Sequence, residues 1–377
     1  MLYTLMNKDA ELFDIEMSSG NIRRIENLRQ ENKDLFPVFL AGLSSSGIDG
    51  VIAWWQSRRI PESRDGVKEL LFNLGLSLDT LAEKSLGLSL SDHYWIRPSK
   101  DIAWKDVNFF QNDFSGDIGD LLISGEWNGG SLASPDNSSD GAVKKRWKII
   151  GGERYLIKGS SEPFYQTEPF REVFASRLAE LLFPRDFAVS YDLVWGNSSK
   201  ADKKVYSACK NFVTADTEYV PFTHFREIES KAYKLEHFEV CARICGEHSS
   251  VLDLILILDY IVLNEDRHFG NFGMIRNANT GELIKPAPVF DTGSSLFHDS
   301  VVIDPQTLRA KPFAKDFDDQ IKLVRISDYY EKIRTVKENV AQIFWKSFAD
   351  AFEAQGRLTE MLNAVKSQID RLLSVKP

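Results

Sequence analysis

Cysteine is scarce in this chain: Cys209, Cys241 and Cys245 are the only three in 377 residues. That is too few for the stapled frameworks of small secreted domains, and it fits a reducing compartment, so the expected location is cytoplasmic. Cys241 and Cys245 stand four apart in a helical-looking segment and would share a face; without a second close pair of ligands they are expected to be buried thiols. Long apolar runs are missing too. The longest, Val251 to Leu263, is broken by Asp253 and Asp259 and falls short of the roughly 20 residues that cross a bilayer. The opening residues, Met1 to Asp9, lack the basic start and apolar core of a secretory leader. An excess of positive charge is absent as well: the net charge is −9 and the pI about 5.4, which argues against a protein that coats nucleic acid. Lys144, Lys145 and Arg146 with Lys148 are one local basic cluster. The six histidines show no H-E-x-x-H or similar ligand spacing, and there is no G-x-G-x-x-G.

What remains is an ordinary globular composition, 43% hydrophobic and 27% charged, with length for two or three domains. Leu2 to Met6 and Glu11 to Glu16 predict two short strands around a polar turn. Ser63 or Asp65 is placed to cap a helix over Val67 to Leu74, and a second apolar-periodic stretch runs from Leu78 to Leu88. Trp54 and Trp55 are expected in the core of this first module; with Arg58 and Arg59 they are otherwise a surface for a protein partner. A Gly/Ser/Asp/Asn-rich loop spans Gly129 to Gly141. Then Arg146 to Ile150, Gly151-Gly152-Glu153 and Arg154 to Lys158 predict a β-hairpin. Phe170, Val173, Phe174, Leu178, Leu181 and Leu182 carry a helical period over Pro169 to Phe183. Strands are expected over Val189 to Trp195 and Lys204 to Cys209. After Tyr219 the pattern is helical, apart from a hairpin of Phe272 to Arg276 with Leu283 to Phe290.

These elements predict an α+β, two-lobed protein-kinase-like fold: a small antiparallel sheet with one helix, then a mainly α-helical C-lobe, the whole preceded by a small N-terminal module. The expected boundaries are 1–100 for the accessory module, 101–212 for an N-lobe with a phosphate loop, and 213–377 for a helical C-lobe with a catalytic loop.

The informative segment is Asn264-Glu265-Asp266-Arg267-His268-Phe269-Gly270-Asn271-Phe272-Gly273, followed by Phe290-Asp291-Thr292-Gly293. Phosphoryl transfer from ATP needs a carboxylate to orient the acceptor and oxygen ligands to hold Mg²⁺ on the phosphates. Asp266 and Asn271 stand as D-x-x-x-x-N after a buried helix, and a hairpin returns the chain to Asp291. The spacing alone arises about once by chance in such a chain; the ordered context of helix, loop, hairpin and Asp-x-Gly gives it weight. Lys158 ends a strand, where its ammonium would meet the α and β phosphates. Glu172 sits in the next helix, ready to pair with it, with Glu168 and Glu180 as competitors. Taken singly, such a lysine is usually a solvated charge. Ser138, Ser139 and Gly141 are placed to cradle phosphates with backbone N–H groups. Cys209, Asn211 and Phe212 stand where a lobe hinge would offer backbone groups to adenine. His268 is expected to shape its loop by hydrogen bonding rather than act as a base.

On Tyr155-Leu156-Ile157-Lys158, Glu172, the Asn264 to Gly273 segment and Phe290-Asp291, the chain resembles the HipA-like serine/threonine kinases. That branch of the protein-kinase-like superfamily includes toxin kinases of bacterial toxin–antitoxin systems. The resemblance covers about residues 130 to 300 and implies Asp266 as catalytic aspartate, Asn271 and Asp291 as magnesium ligands, and Lys158 as the phosphate-binding lysine. It also implies autophosphorylation of a loop serine, Ser138 or Ser139, as an off switch. Residues 1 to about 95 depart from the toxin kinases' N-terminal subdomain. Three readings stay open: a serine/threonine protein kinase with a protein substrate, a kinase of a lipid or small molecule, and a nucleotide-binding regulator without turnover. Strong signals for a membrane or for nucleic acid are lacking.

Overall fold

The computed structural model describes residues 1–18, 20–40, 48–61, 67, 71–72, 75–115, 131–138, 144–160, 167–196, 204–225, 227–228 and 233–374. It is a mixed α/β structure with several small antiparallel sheets, and the chain divides into two compact units.

The first unit comprises Met1–Lys158 with Lys210–Val220 and Ile275–Ile284. Strands β1 (Leu2–Asn7) and β2 (Ala10–Ser18) pair as the alternation predicts. Two further strands, β3 (Asn21–Glu26) and β4 (Tyr94–Arg97), extend the sheet to the order β3-β2-β1-β4. β3 and β4 correct the sequence reading, which placed no strand at either, and β4 is the harder to see. Only four residues long, it is held by pairing with β1 some ninety positions earlier, a partner that local pattern cannot reveal. Trp54 and Trp55 are buried in the core beneath this sheet, and Trp55 donates its indole N–H to the Gly20 carbonyl. The core reading of the tryptophans therefore holds. Leu78–Lys84 is helical, capped by Ser77, whose side chain accepts from the Thr80 N–H. Ser63, Asp65 and most of the helix expected after them lie outside the described residues.

Strands β5 (Lys145–Ile150) and β6 (Glu153–Lys158) form the predicted hairpin. Gly151 and Gly152 at its turn have φ of +59° and +85°, the left-handed region that a two-residue hairpin turn requires of both positions. Of the local basic cluster, Arg146 is buried.

The second unit comprises Gly159–Cys209, Pro221–Met274 and Lys285–Pro377. β7 (Tyr191–Trp195) and β8 (Val205–Lys210) are antiparallel. β9 (Thr217–Pro221), β10 (Gly273–Asn277) and β11 (Leu283–Pro286), most of whose residues belong to the first unit, make a three-stranded sheet in the order β11-β10-β9. β9 is a second correction, because the sequence reads as helical from Tyr219. The helix Glu168–Leu182 packs through Phe174 against Phe344 of the helix Tyr330–Ser347, ring edge to ring face at 5.3 Å. The helix Ser250–Val262 is buried on eleven of its thirteen residues. Apolar on all sides, it can exist only inside a core. Cys241 and Cys245 are buried and unbridged, and burial pushes both thiols up, Cys245 to about 12. Among the described residues, no helix is long and apolar enough to cross a membrane.

Candidate active site

The Ser250–Val262 helix ends at Leu263 with φ +54°, a left-handed residue that turns the chain out of the helix. Asn264 then folds back, its Nδ2 donating to Asp259 Oδ1 at 2.8 Å. Asp259 also takes two bonds from Arg267, Nε to Oδ2 at 2.9 Å and Nη2 to Oδ1 at 3.0 Å. This is a buried, bidentate ion pair, the geometry in which a desolvated charge is best satisfied. Burial works against the Arg267 charge, yet Asp259, with Asp291 and Glu172 further off, outweighs it and raises the guanidinium above its ordinary value.

The remaining Arg267 nitrogen is the informative one. Nη1 donates to the carbonyls of Asn271, at 2.9 Å, and Phe290, at 2.7 Å. One side chain thus ties the end of the D-x-x-x-x-N loop to the residue just before Asp291. The loop is further held by Asn271 Nδ2 donating to the Asp266 carbonyl at 3.0 Å, which leaves the Asn271 amide oxygen as a ligand atom. His268 Nδ1 accepts from the Gly270 N–H at 3.1 Å, the loop-shaping role expected of it. Asp291 is left-handed at φ +58°, a conformation that costs a non-glycine residue about 1–2 kcal/mol and recurs at functional sites. An amide oxygen and a carboxylate form the hard donor set that magnesium takes, so these residues fit the ion.

Glu172 is buried and accepts from Thr292, from N–H at 3.1 Å and from Oγ1 at 3.2 Å. It therefore clamps the Asp-x-Gly turn, a contact that sequence reading did not foresee. A Cβ on Gly293 would stand 3.3 Å from Glu172 Oε1, close enough that the carboxylate would have to give way by a few tenths of an ångström. Glu180, one of the competitors, lies exposed and pairs with Arg177 at 2.7 Å; Glu168 is buried.

Asp266 bears a half-exposed carboxylate, and Lys311 Nζ lies 2.9 Å from its Oδ1. Lys311 went unnoticed in the sequence because it lies 45 positions downstream with no motif around it. Glu265 accepts from the Arg309 N–H at 2.9 Å, and burial raises its carboxyl above the usual range. It also stands with His298 and Asp299, ligand-type atoms all within 4.8 Å of one another, a grouping that no sequence spacing announces.

The other expected site residues belong largely to the first unit. Lys158 is buried at the end of β6. Ser138 closes a short 3₁₀ turn and donates to the Leu88 carbonyl at 2.9 Å, whereas Ser139 and Gly141 lie outside the described residues. The turn before them is pinned by Asp136, fully buried, whose Oδ1 accepts from the Trp147 N–H at 2.7 Å. The Asn211 N–H is already donated to the Arg154 carbonyl at 2.8 Å, and its side-chain amide to the Leu90 carbonyl at 3.0 Å. Phe212 meets Tyr219 edge-on at 5.8 Å. Cys209, in β8 of the second unit, is buried.

No family model matches the chain. The serine/threonine-protein kinase CtkA of Helicobacter pylori is 32% identical over 105 residues, 25% of this chain and 32% of that kinase. The match thus spans about a third of the kinase's length. A solved structure described as the proinflammatory kinase CtkA of the same organism covers 61% of this chain and 93% of its own, at 20% identity and a TM-score of 0.45. HipA of Shewanella oneidensis, solved as a toxin–antitoxin complex with HipB and operator DNA, covers 100% of both chains with a TM-score of 0.62 at 13% identity. The fold is therefore HipA-like along its whole length, and the resemblance to the HipA-like kinase family is supported. The likeness includes residues 1 to 95, which the sequence had set apart.

Proposed function

We propose that this chain is an ATP- and Mg²⁺-dependent phosphotransferase of the serine/threonine protein-kinase type. The observation that carries the reading is Arg267, which anchors to buried Asp259 and joins the Asn271 and Phe290 carbonyls, so that a hydroxyl-orienting carboxylate and two hard oxygen ligands belong to one braced unit. In this reading Asp266 accepts the hydrogen bond of the acceptor hydroxyl. The hydroxyl oxygen forms the new bond to the γ-phosphorus, the bond to the β–γ bridging oxygen breaks, and ADP leaves with that electron pair. The hydroxyl proton passes to Asp266 and then to solvent. Asn271 and Asp291 would hold magnesium, which when bound would neutralise charge on the phosphates. Glu172 keeps the Asp291 turn in place through Thr292. Lys158 is assigned to the phosphates on its place at the end of β6 and on the resemblance, and Cys209, Asn211 and Phe212 to the adenine hinge on their position in the chain. The division into an accessory module (1–100), an N-lobe (101–212) and a C-lobe (213–377) belongs to the same proposal. So do autophosphorylation at Ser138 or Ser139, a regulatory protein partner on the N-terminal module and a cytoplasmic location.

The test is incubation with radiolabelled ATP and Mg²⁺, with casein and the chain itself as acceptors, beside Asp266→Asn and Asp291→Asn. Label transferred by the wild type and lost by at least about 100-fold in both variants is the expected result. ATP binding without transfer to any acceptor favours the regulator; no ATP binding sinks the proposal.

A further inference from the structure

We infer that Lys311 is a positioning residue for phosphoryl transfer, holding Oδ1 of Asp266 so that Oδ2 is presented to the acceptor hydroxyl. The inference rests on the kinase reading above. Lys311 Nζ is 2.9 Å from Asp266 Oδ1, with the two side chains 36% and 42% exposed. At that exposure the ion pair contributes little to folding. Stability alone therefore gives no account of how firmly the segment carrying this lysine is held.

The segment is braced on both sides. Ahead of Lys311, the Arg309 N–H donates to Glu265, the residue next to Asp266, at 2.9 Å. Behind it, buried Gln320 takes the segment in a three-point grip. Its Nε2 donates to the Lys311 carbonyl at 2.9 Å, and its Oε1 accepts from the N–H groups of Phe313, at 2.9 Å, and Ala314, at 3.3 Å. Ala310 N–H closes the turn on the Lys315 carbonyl at 2.8 Å. Phe313 is buried against Phe269 and Phe272 of the candidate catalytic loop, with ring centroids 5.6 and 6.1 Å apart. Backbone and core thus register this one half-exposed ammonium against one carboxylate. An aspartate freed from such a partner samples other rotamers, and a misplacement of about 1 Å costs on the order of 100-fold in rate.

The experiment compares wild type, Lys311→Met, Lys311→Arg, Asp266→Asn and the Asp266→Asn/Lys311→Met pair. Transfer of γ-phosphoryl to casein, to the chain itself or to water is measured as kcat and KM for ATP, with ATP affinity by calorimetry and folding by circular dichroism. Lys311→Met is expected to lose about 10- to 100-fold in kcat, with KM, ATP affinity and the spectrum unchanged. Lys311→Arg is expected to recover to within about 5-fold of wild type, and the double variant to be no slower than Asp266→Asn alone. A Lys311→Met enzyme within 2-fold of wild type overturns the inference while the kinase reading stands. So does a double variant whose losses multiply. A wild type with no turnover to any acceptor overturns the kinase reading itself, and this inference falls with it.

Discussion

Each of the two units has a buried arginine–carboxylate pair, Arg276–Glu218 in the first and Arg267–Asp259 in the second, and the pairs differ in where the leftover donors go. In the first unit, Arg276 Nη1 bonds Glu218 Oε1 and the Tyr94 hydroxyl, both at 2.8 Å, while Nε reaches the Gly281 carbonyl at 2.7 Å and Nη2 the Asp34 carbonyl. These partners come from β4, β9, the β10–β11 turn and the loop after β3, so the guanidinium fastens distant stretches of structure. In the second unit, Arg267 spends its leftover donor on the carbonyls of Asn271 and Phe290. The chemistry is the same, but the second pair fixes the residues read here as ligand-bearing. A buried ion pair is weak support for stability as such; what distinguishes these two is which segments each one holds.

The comparison breaks most sharply on the arginines. Arg267→Met and Arg276→Met each leave a carboxylate buried without its partner, and each is expected to cost about 3–5 kcal/mol in urea unfolding. Arg267→Lys retains the charge but not the fork, and is expected to lower phosphoryl transfer and magnesium affinity by about 10- to 100-fold. Arg276→Lys is expected to lower the unfolding midpoint while magnesium affinity of the folded protein stays within about 2-fold, as titration calorimetry would show.

A pH titration sharpens the comparison within the first unit. His93 is fully buried, stacked on Phe110 at 4.5 Å, and held down to about 4, first by burial and then by Lys8; Asp92 and Asp216 pull the other way. The unfolded chain binds this proton near pH 6.5 and the folded chain does not, so stability is lost as pH falls from about 6.5 to 4, by up to about 3 kcal/mol. Glu218 acts in the opposite sense. Burial, against the pull of Arg276, lifts it to about 7, so its protonation favours the folded state as pH falls. The measurement is therefore a difference: the stability gap between wild type and His93→Phe should move in favour of the variant between pH 6.5 and 4. The smallest effect expected is at the exposed pair Arg309–Asp316, 3.0 Å apart, where Asp316→Asn should shift unfolding by less than about 1 kcal/mol.

The local signals were legible in the sequence. Alternation and glycine placement announced the β5–β6 hairpin, the helical period announced Glu168–Leu182, and the ungated apolar run announced Ser250–Val262. The candidate site was legible where its residues lie close together, from Asp266 to Asn271 and on to Asp291. β4 and β9 were not, because pairing with remote strands makes them extended. Nor were the contacts of Glu172 with Thr292 and Lys311 with Asp266, at separations of 120 and 45 residues, since charged side chains carry no mark of their partners.

The Ser250–Val262 helix has a consequence for exchange with solvent. With eleven of thirteen residues buried it has no wet face along which to fray, so its amide hydrogens should exchange only when the second unit opens as a whole. The loop carrying Asp266 leaves directly from that helix, through Leu263. In a deuterium time course the slowest protons and the candidate catalytic carboxylate should therefore sit four residues apart, a sharp boundary between a segment that opens only with its whole unit and one that meets its substrate.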